Sequence, residues 1–314
     1  MEDVVKKVVI AIDGSKDSLK ALDYIELIFG VDHPLDVVLF HVLPALPPIL
    51  IDDNDPQDRK MRAKLRTREK ENRQAAEKIL ERGKGLLMKK GFNEERIATE
   101  YQRKARDIAR DTCEWSERRL ADAAVIARGE RVALGDFFSA GVSSNLVDHC
   151  RVAPVWIVSG QIRSRKALLC VDDSEEAVRA VDHAGFMLSN TECDITLFHT
   201  MKGLQRAVNL EAVVEREDFE RLWESKAGKG MAAVFHKAEK MLLDAGFDPS
   251  RITKKIVESK KSAAEDILAE AKAGDYGTIV LGRRSLSKVQ SFLFGSVTKK
   301  ILQNDTGLCS WIIQ

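Results

Sequence analysis

Two clusters of small and polar residues in the C-terminal half of the chain have the composition of a phosphate site. The first follows an apolar run at 167–171, and the second begins where another apolar run ends, at 281. Glycine lets a backbone approach an anion closely, and hydroxyls and the free amides of a helix start donate to phosphate oxygens. An aspartate beside them can accept from a ribose hydroxyl or an adenine amine. The candidate binding residues are Asp172, Asp173, Ser174, Gly282, Arg283, Ser285, Gly295, Ser296, Val297 and Thr298.

These clusters can meet only if the fold brings the ends of two strands together. Apolar runs typical of buried strands alternate with helical patterns along the chain, for example a strand over 167–171, a helix over 174–188 and a strand over 278–281. Alternating β and α segments predict an α/β fold with a doubly wound, mostly parallel sheet and helices on both faces. Ligands of such sheets bind beyond the carboxyl ends of the strands, where both clusters fall.

The whole pattern occurs twice. Five segments of the first half recur in the same order in the second half, which indicates a tandem duplication. The matched pairs are KVVIAIDGS (7–15) with KALLCVDDS (166–174), VVLFHV (37–42) with ITLFHT (195–200), GFNEERI (91–97) with GFDPSRI (246–252), ARDIAR (105–110) with AEDILA (264–269), and 136–158 with 291–313. A polar link at 159–165 separates the two predicted domains, 1–160 and 161–314.

A strand ending in Asp-x-Ser, an LFH-type second strand and a Gly-x2-Gly-x9-Gly-Ser/Thr segment resemble the universal stress protein family. The resemblance covers nearly the whole chain as two copies. It implies a five-stranded parallel sheet of order 3-2-1-4-5 in each copy and ATP phosphates on the glycine segment. In the second copy the matching residues are Gly282, Ser285, Gly295 and Ser296, with serine at the middle glycine position. The expected cofactor is ATP, with or without Mg²⁺.

The first copy departs from this pattern. Its matching positions hold Ala127, Glu130, Ala140 and Gly141, and Glu130 would place a carboxylate beside phosphate. We therefore predict that the first domain holds a degenerate site and that only the second binds nucleotide. The resemblance also implies that the last strands, which carry Trp156 and Trp311, pair the two copies as an internal pseudo-dimer, and it leaves a homodimer open.

Composition limits the partners. Lys and Arg number 50 against 49 Asp and Glu, so the net charge of +1 gives no basic field for nucleic acid. No apolar run approaches the roughly 18 residues of a membrane helix. Five scattered cysteines without a CxxC pair are interpreted as reduced core thiols. With no apolar leader pattern at the N-terminus, these features predict a cytoplasmic protein.

The favoured function is an ATP-binding stress regulator or adaptor with little or no hydrolysis, because no Walker motif occurs and no general base stands out. The alternative is a nucleotide-free scaffold that contacts an unidentified protein partner through its long helices or the proline-rich loop at 44–56. An adenylyl-forming enzyme would need an early SGGxDS-type loop, which 13–18 (DGSKDS) does not provide. A redox flavoprotein subunit is a further outside alternative.

Overall fold

The structure is a computed structural model that describes residues 4–31, 33–45, 56–106, 108–128, 150, 153–202, 216–259, 261–283, 296–304 and 307–314. Internal contacts divide the chain into two compact units. The first comprises residues 1–26 and 34–155, and the second comprises 27–33 and 156–314. This division differs from the sequence boundary at 160, because it places the last strand of the first half, from Trp156 onward, in the second unit.

The first half alternates strands and helices. Its elements are β1 (Lys6–Ala11), α1 (Lys16–Phe29), β2 (Leu35–Leu43), α2 (Pro56–Lys89), β3 (Ile97–Arg103), α3 (Ile108–Arg118), β4 (Ala123–Arg128) and β5 (Val155–Ser159). In the first unit, β1 lies between β2 and β4, and β3 lies on the far side of β2, with every pair parallel. Residues 8–11 of β1 are all buried, as expected for a strand covered on both faces.

The second half repeats this alternation. Its elements are β6 (Lys166–Cys170), α4 (Glu175–Leu188), β7 (Asp194–Lys202), α5 (Arg216–Asp244), β8 (Ile252–Ser259), α6 (Ala263–Ala273), β9 (Thr278–Gly282), α7 (Ser296–Asn304) and β10 (Leu308–Ile313). Here β6 lies between β7 and β9, while β8 and β10 are the outer neighbours, and all pairs are parallel. The predicted α/β class with a mostly parallel sheet is confirmed. Because the sheet is parallel, the ends of β6 and β9 reach the same edge.

The GF segments end a long helix in the same way in both halves. Gly91 and Gly246 both have φ of +96°, a left-handed conformation that favours glycine. The amide of Phe92 donates to the Leu87 carbonyl at 3.1 Å, and the amide of Phe247 donates to the Leu242 carbonyl at 3.0 Å. In each half, this C-terminal cap redirects the backbone from the helix toward the strand that follows it.

One sequence match has the wrong register. The helices α3 and α6 begin 155 residues apart, at Ile108 and Ala263, and the strands before them begin with the same separation, at Ile97 and Ile252. ARDIAR and AEDILA are 159 residues apart, so they do not occupy equivalent positions. At the offset of 155 that the helix starts define, ARDIAR corresponds to KKSAAE (260–265), with which it shares one residue, so sequence similarity alone favours the wrong register.

The interpretation of all five cysteines as reduced thiols is wrong. Cys113 of α3 and Cys150, which precedes β5, form a disulfide with their Cα atoms 5.3 Å apart. Cys170, Cys193 and Cys309 are free. A spacing of 37 residues without a motif gave no sign of this pair, which meets only because the sheet returns the chain beside α3. Since disulfides are uncommon in the cytosol, the cysteines no longer support a cytoplasmic location, which stays a prediction.

Among the helices that the structure describes, none combines the length and apolar character needed to cross a bilayer.

Candidate nucleotide site

The turn after β6 is built by the Asp-x-Ser motif itself. Asp172 accepts through Oδ1 from the amide of Ser174 at 3.0 Å and from the Ser174 hydroxyl. The Ser174 hydroxyl in turn accepts from the amide of Ala177 at 3.2 Å and caps the start of α4. The motif therefore has a local folding role, which aims the first turn of α4 at the carboxyl edge of the sheet.

Asp13 and Ser15 form the same turn in the first half. The amide of Ser15 donates to Asp13 Oδ1 at 2.9 Å, and the amide of Ser18 donates to the Ser15 hydroxyl at 3.0 Å.

Gly282 ends β9 against the start of α4. A Cβ at this position would lie 2.4 Å from the backbone carbon and oxygen of Glu176, which real structures do not tolerate. The glycine is thus required by the close approach of two backbones, a reason that the sequence reasoning did not foresee when it assigned Gly282 to anion contact. The next residue, Arg283, continues the strand edge through its amide, which donates to the Ile313 carbonyl at 2.7 Å.

Between the ends of β6, β7 and β9 lies a cavity of about 460 Å³. This volume is in the usual range for small-molecule sites. Its lining combines an apolar wall with a few polar groups. The lining residues are Cys170, Val171, Asp172, Ser174, Ala177, Phe198, His199, Thr200, Ala263, Ile267, Leu281, Gly282, Val297 and Thr298.

Three helices present their first turns to this cavity. Ser174 and Ala177 belong to the start of α4, Ala263 is the first residue of α6, and Val297 and Thr298 lie in the first turn of α7. Each helix start carries free amides and a partial positive charge of roughly half a unit. Three such ends at one cavity make it a favourable place for a multiply charged anion.

The structure brings together five of the ten predicted binding residues. Asp172, Ser174, Gly282, Val297 and Thr298 all line the cavity, and Thr298 is buried. Ser296 is the first residue of α7, directly before them.

The other predicted residues have different outcomes. Asp173 is exposed and lines a separate cavity of about 130 Å³ between α4 and α5. Arg283 follows Gly282 at the strand end and is not among the lining residues. Ser285 and Gly295 lie outside the described residues, as do Glu130, Ala140 and Gly141 of the first half. Ala127 is buried at the end of β4.

Sequence reasoning missed the contributions of β7 and α6. Phe198, Thr200 and Ile267 line the cavity and fall in repeated segments that indicate only the duplication and the family, whereas Ala263 lies in none of them. Two signals could have found them. The carboxyl end of β7 adjoins that of β6 in a parallel sheet, and α6 starts shortly after the carboxyl end of β8, the neighbour of β7. Their positions at strand ends and helix starts, and not their residue types, place them at the site.

His199 has a fixed orientation at the cavity. Its Nδ1 lies 2.8 Å from the Val171 carbonyl oxygen, and because a carbonyl only accepts, Nδ1 carries the proton. His41 makes the same 2.8 Å contact to Ile12 in the first half, where burial lowers its pKa. Burial, and secondarily Asp172, raise the pKa of the Cys170 thiol, which keeps that cavity side chain neutral. Among the described residues, no group of three or more His, Cys, Asp and Glu side chains is arranged to hold a metal ion.

Comparison with known proteins identifies the family of this chain. The model of the Universal stress protein family matches the chain twice, over residues 5–159 and 163–304. The chain therefore belongs to the universal stress protein family, with two such domains in tandem. No curated protein sequence matches it.

Solved structures share the tandem fold at low sequence identity. A universal stress protein from Archaeoglobus fulgidus DSM 4304 is 16% identical and matches 98% of each chain with a TM-score of 0.62. A putative universal stress protein from Pseudomonas aeruginosa UCBPP-PA14 is 14% identical, covering 99% of this chain and 93% of its own, with a TM-score of 0.55. A protein of unknown function from Pseudomonas aeruginosa PAO1 is also 14% identical, with coverages of 99% and 92% and a TM-score of 0.54.

Proposed function

We propose that the second half of this protein binds an adenine nucleotide, with ATP as the expected ligand, and that it acts as a stress-response adaptor with little or no hydrolysis. The observation that carries the proposal is the convergence of the first turns of α4, α6 and α7 on one 460 Å³ cavity. A triphosphate placed over these helix starts would meet free amides and positive helix ends.

The rest of the lining suits a base and a ribose. Phe198, Ile267 and Leu281 offer apolar surface to a flat ring, and Asp172 and Thr200 offer polar groups at its edge. An apolar wall with a few fixed polar groups is the usual composition of a cofactor site. This division assigns the base to the floor of the cavity and the phosphates to the helix starts.

The chemistry of the lining favours binding over catalysis. The raised pKa of Cys170 keeps its sulfur protonated at neutral pH, so this thiol is not poised as an activated nucleophile. An adaptor would use the nucleotide to select a conformation that a protein partner recognises, with Mg²⁺ entering as the ATP complex.

Equilibrium titration of the intact chain with ATP, with and without Mg²⁺, tests the proposal. The informative variant is Val297→Asp, which puts a carboxylate in the first turn of α7 beside the cavity. Repulsion between like charges should weaken ATP binding roughly 100-fold, while an aspartate at a helix start leaves the helix itself stable.

Gln303→Asp is the matched control, because it adds the same charge at the exposed far end of the same helix. It should leave ATP affinity close to that of the unmodified chain. Equal loss in both variants, or no ATP binding by the unmodified chain, would overturn the proposal and leave the nucleotide-free scaffold as the better account. Phosphate release at the rate of an efficient ATPase would contradict the adaptor role.

A further inference from the structure

The first half has a counterpart of the nucleotide cavity that is almost closed. A cavity of about 10 Å³ lies at the carboxyl ends of β1 and β2, against about 460 Å³ at the ends of β6 and β7. Each of its seven lining residues has an equivalent in the lining of the larger cavity. The seven pairs are Ala11 and Cys170, Ile12 and Val171, Asp13 and Asp172, Phe40 and Phe198, His41 and His199, Val42 and Thr200, and Ile108 and Ala263.

Most of these pairs cannot account for the difference in volume. Three pairs are identical, and Val42 and Thr200 have nearly the same shape. Cys170 is larger than Ala11, which would reduce the second cavity and not the first. Ile12 exceeds Val171 by one methylene group. Only Ile108 is much larger than its partner, Ala263, because it adds a methyl and an ethyl group to the same Cβ.

Ile108 also lies in the right place to fill the space. It packs against a buried cluster that includes Phe40 and Val42, two of the residues that line the small cavity. Both Ile108 and Ala263 are the first residue of the helix that follows the third strand of their half. The side chain at this helix start thus projects toward the same end of the sheet in both halves.

We propose that the first residue of this helix sets whether each half has a ligand cavity: Ile108 closes the first cavity, and Ala263 leaves the second one open. We call this effect of side-chain size on the cavity the size selection. It does not depend on which ligand binds, and only its effect on the number of nucleotides bound rests on the proposed function. The residue acts by excluding volume, without a contact to phosphate. The number of nucleotides bound per chain would then follow from this position even before the glycine segment is considered.

Thiol labelling tests the second cavity without any nucleotide. Cys170 lines the open cavity, whereas Cys193 and Cys309 are buried elsewhere. With iodoacetamide at one fixed alkaline pH and peptide mapping by mass spectrometry, the labelling rate of Cys170 is compared between variants, so that the raised pKa of this thiol is common to every measurement. In Ala263→Ile its rate should fall about tenfold, because thiol reactivity follows exposure.

Ala269→Ile is the matched control, since it makes the same change on the exposed side of α6. It should leave Cys170 labelling unchanged. Ala263→Val fills less of the cavity and serves as the second variant in case Ala263→Ile folds poorly. Unchanged Cys170 labelling in folded Ala263→Ile, or equal slowing in the control, would overturn the proposal.

The first half gives the reverse test. Ala11→Cys places a reporter where the second half has Cys170, and it should resist iodoacetamide while Ile108 is present. The double variant Ala11→Cys/Ile108→Ala should label about as fast as Cys170. A reporter that reacts equally with and without Ile108 would show that another group closes this cavity, and the proposal would be wrong.

Nucleotide titration of the same variants separates the two proposals. If the unmodified chain binds ATP and Ala263→Ile does not, both proposals are supported. If labelling follows the size rule but no variant binds ATP, the proposed function fails while the size selection stands. If ATP binds equally well to Ala263→Ile and Ala269→Ile, the size selection fails while the proposed function stands.

Discussion

The indole rings of Trp156 and Trp311 stack in parallel, with 3.8 Å between their centroids and 1° between their planes. His183 lies edge-on to both rings at 5.9 and 5.6 Å, and its Nε2 accepts from Trp156 Nε1 at 3.2 Å. The stack explains why a tryptophan recurs in the last strand of each half. Because Nε2 accepts this hydrogen bond, the folded structure requires a neutral His183 ring.

This requirement predicts a specific dependence of stability on pH. Burial lowers the pKa of His183 to about 3 in the folded protein, whereas an unfolded histidine takes up its proton near 6.5. Stability present above pH 6.5 is therefore lost as the pH falls toward 3. Between pH 6.5 and 5 we expect the unmodified chain to lose up to about 2 kcal/mol more unfolding free energy than His183→Gln.

Urea unfolding at a series of pH values measures this difference. His236→Gln is the control, because His236 is exposed on α5. If the unfolding free energy of the unmodified chain and that of His183→Gln change with pH in parallel, protonation of His183 does not destabilise the folded protein and the prediction is wrong.

Gly282→Ala should destabilise the protein through packing and not through lost ligand contact. Its Cβ would meet the backbone of Glu176, so the first turn of α4 must shift. We expect a loss of about 1–3 kcal/mol in unfolding free energy without nucleotide. Gly230→Ala, whose Cβ would meet nothing within 4 Å, should be neutral or slightly stabilising as a helical glycine replacement. The idea is refuted if denaturant titration finds the two variants equally stable.

The disulfide predicts how many thiols the chain exposes on unfolding. In denaturant without a reductant, titration should find three free thiols of the five cysteines. Reduction should lower the unfolding free energy by about 2–4 kcal/mol, because the closed loop no longer restricts the unfolded chain. The double variant Cys113→Ala/Cys150→Ala should be insensitive to the same reductant. Five titrated thiols at the outset would contradict the bond.

Thr298 should contribute a hydrogen bond to the ligand and little else. It is buried in the first turn of α7 and lines the cavity. Thr298→Val keeps the shape but removes the hydroxyl, so ATP affinity should fall about tenfold. Thr298→Ser keeps the hydroxyl and should bind ATP nearly as well. If calorimetric titration shows that the serine variant is the weaker binder, the side-chain methyl matters more than the hydroxyl.

Much of the fold could be predicted because hydrophobic periodicity is a local signal, and because the duplication shows the same order of segments twice. The elements predicted over 167–171, 174–188 and 278–281 agree within one residue with Lys166–Cys170, Glu175–Leu188 and Thr278–Gly282, and the class of the sheet follows from the alternation of strands and helices. The repeated segment at 195–200 marks only part of β7, which runs from Asp194 to Lys202. Strand ends depend on pairing with a neighbour, here β8, which the residues of one strand do not encode.

The site was predictable where a motif marks a strand end and not elsewhere. Asp172 and Thr298, which adjoin polar and glycine-rich patterns, line the cavity, and their role in binding stays a prediction. The role of Gly282 depends on how closely β9 approaches α4, and the disulfide depends on where the chain returns. Ile108 is not conspicuous in the sequence because an isoleucine in an amphipathic helix is ordinary, and its size stands out only beside the corresponding residue, Ala263.

The Asp-x-Ser turn has two hydrogen bonds in common in the two halves, although the cavities beside it differ greatly in volume. The turn is therefore maintained by the demands of starting a helix, whether or not anything binds next to it. In tandem members of this family, surveys that count ligand sites from that motif would assign two to a chain such as this one. Under the proposal made above for Ile108 and Ala263, the residue that opens α3 or α6 is the more informative position for such a count.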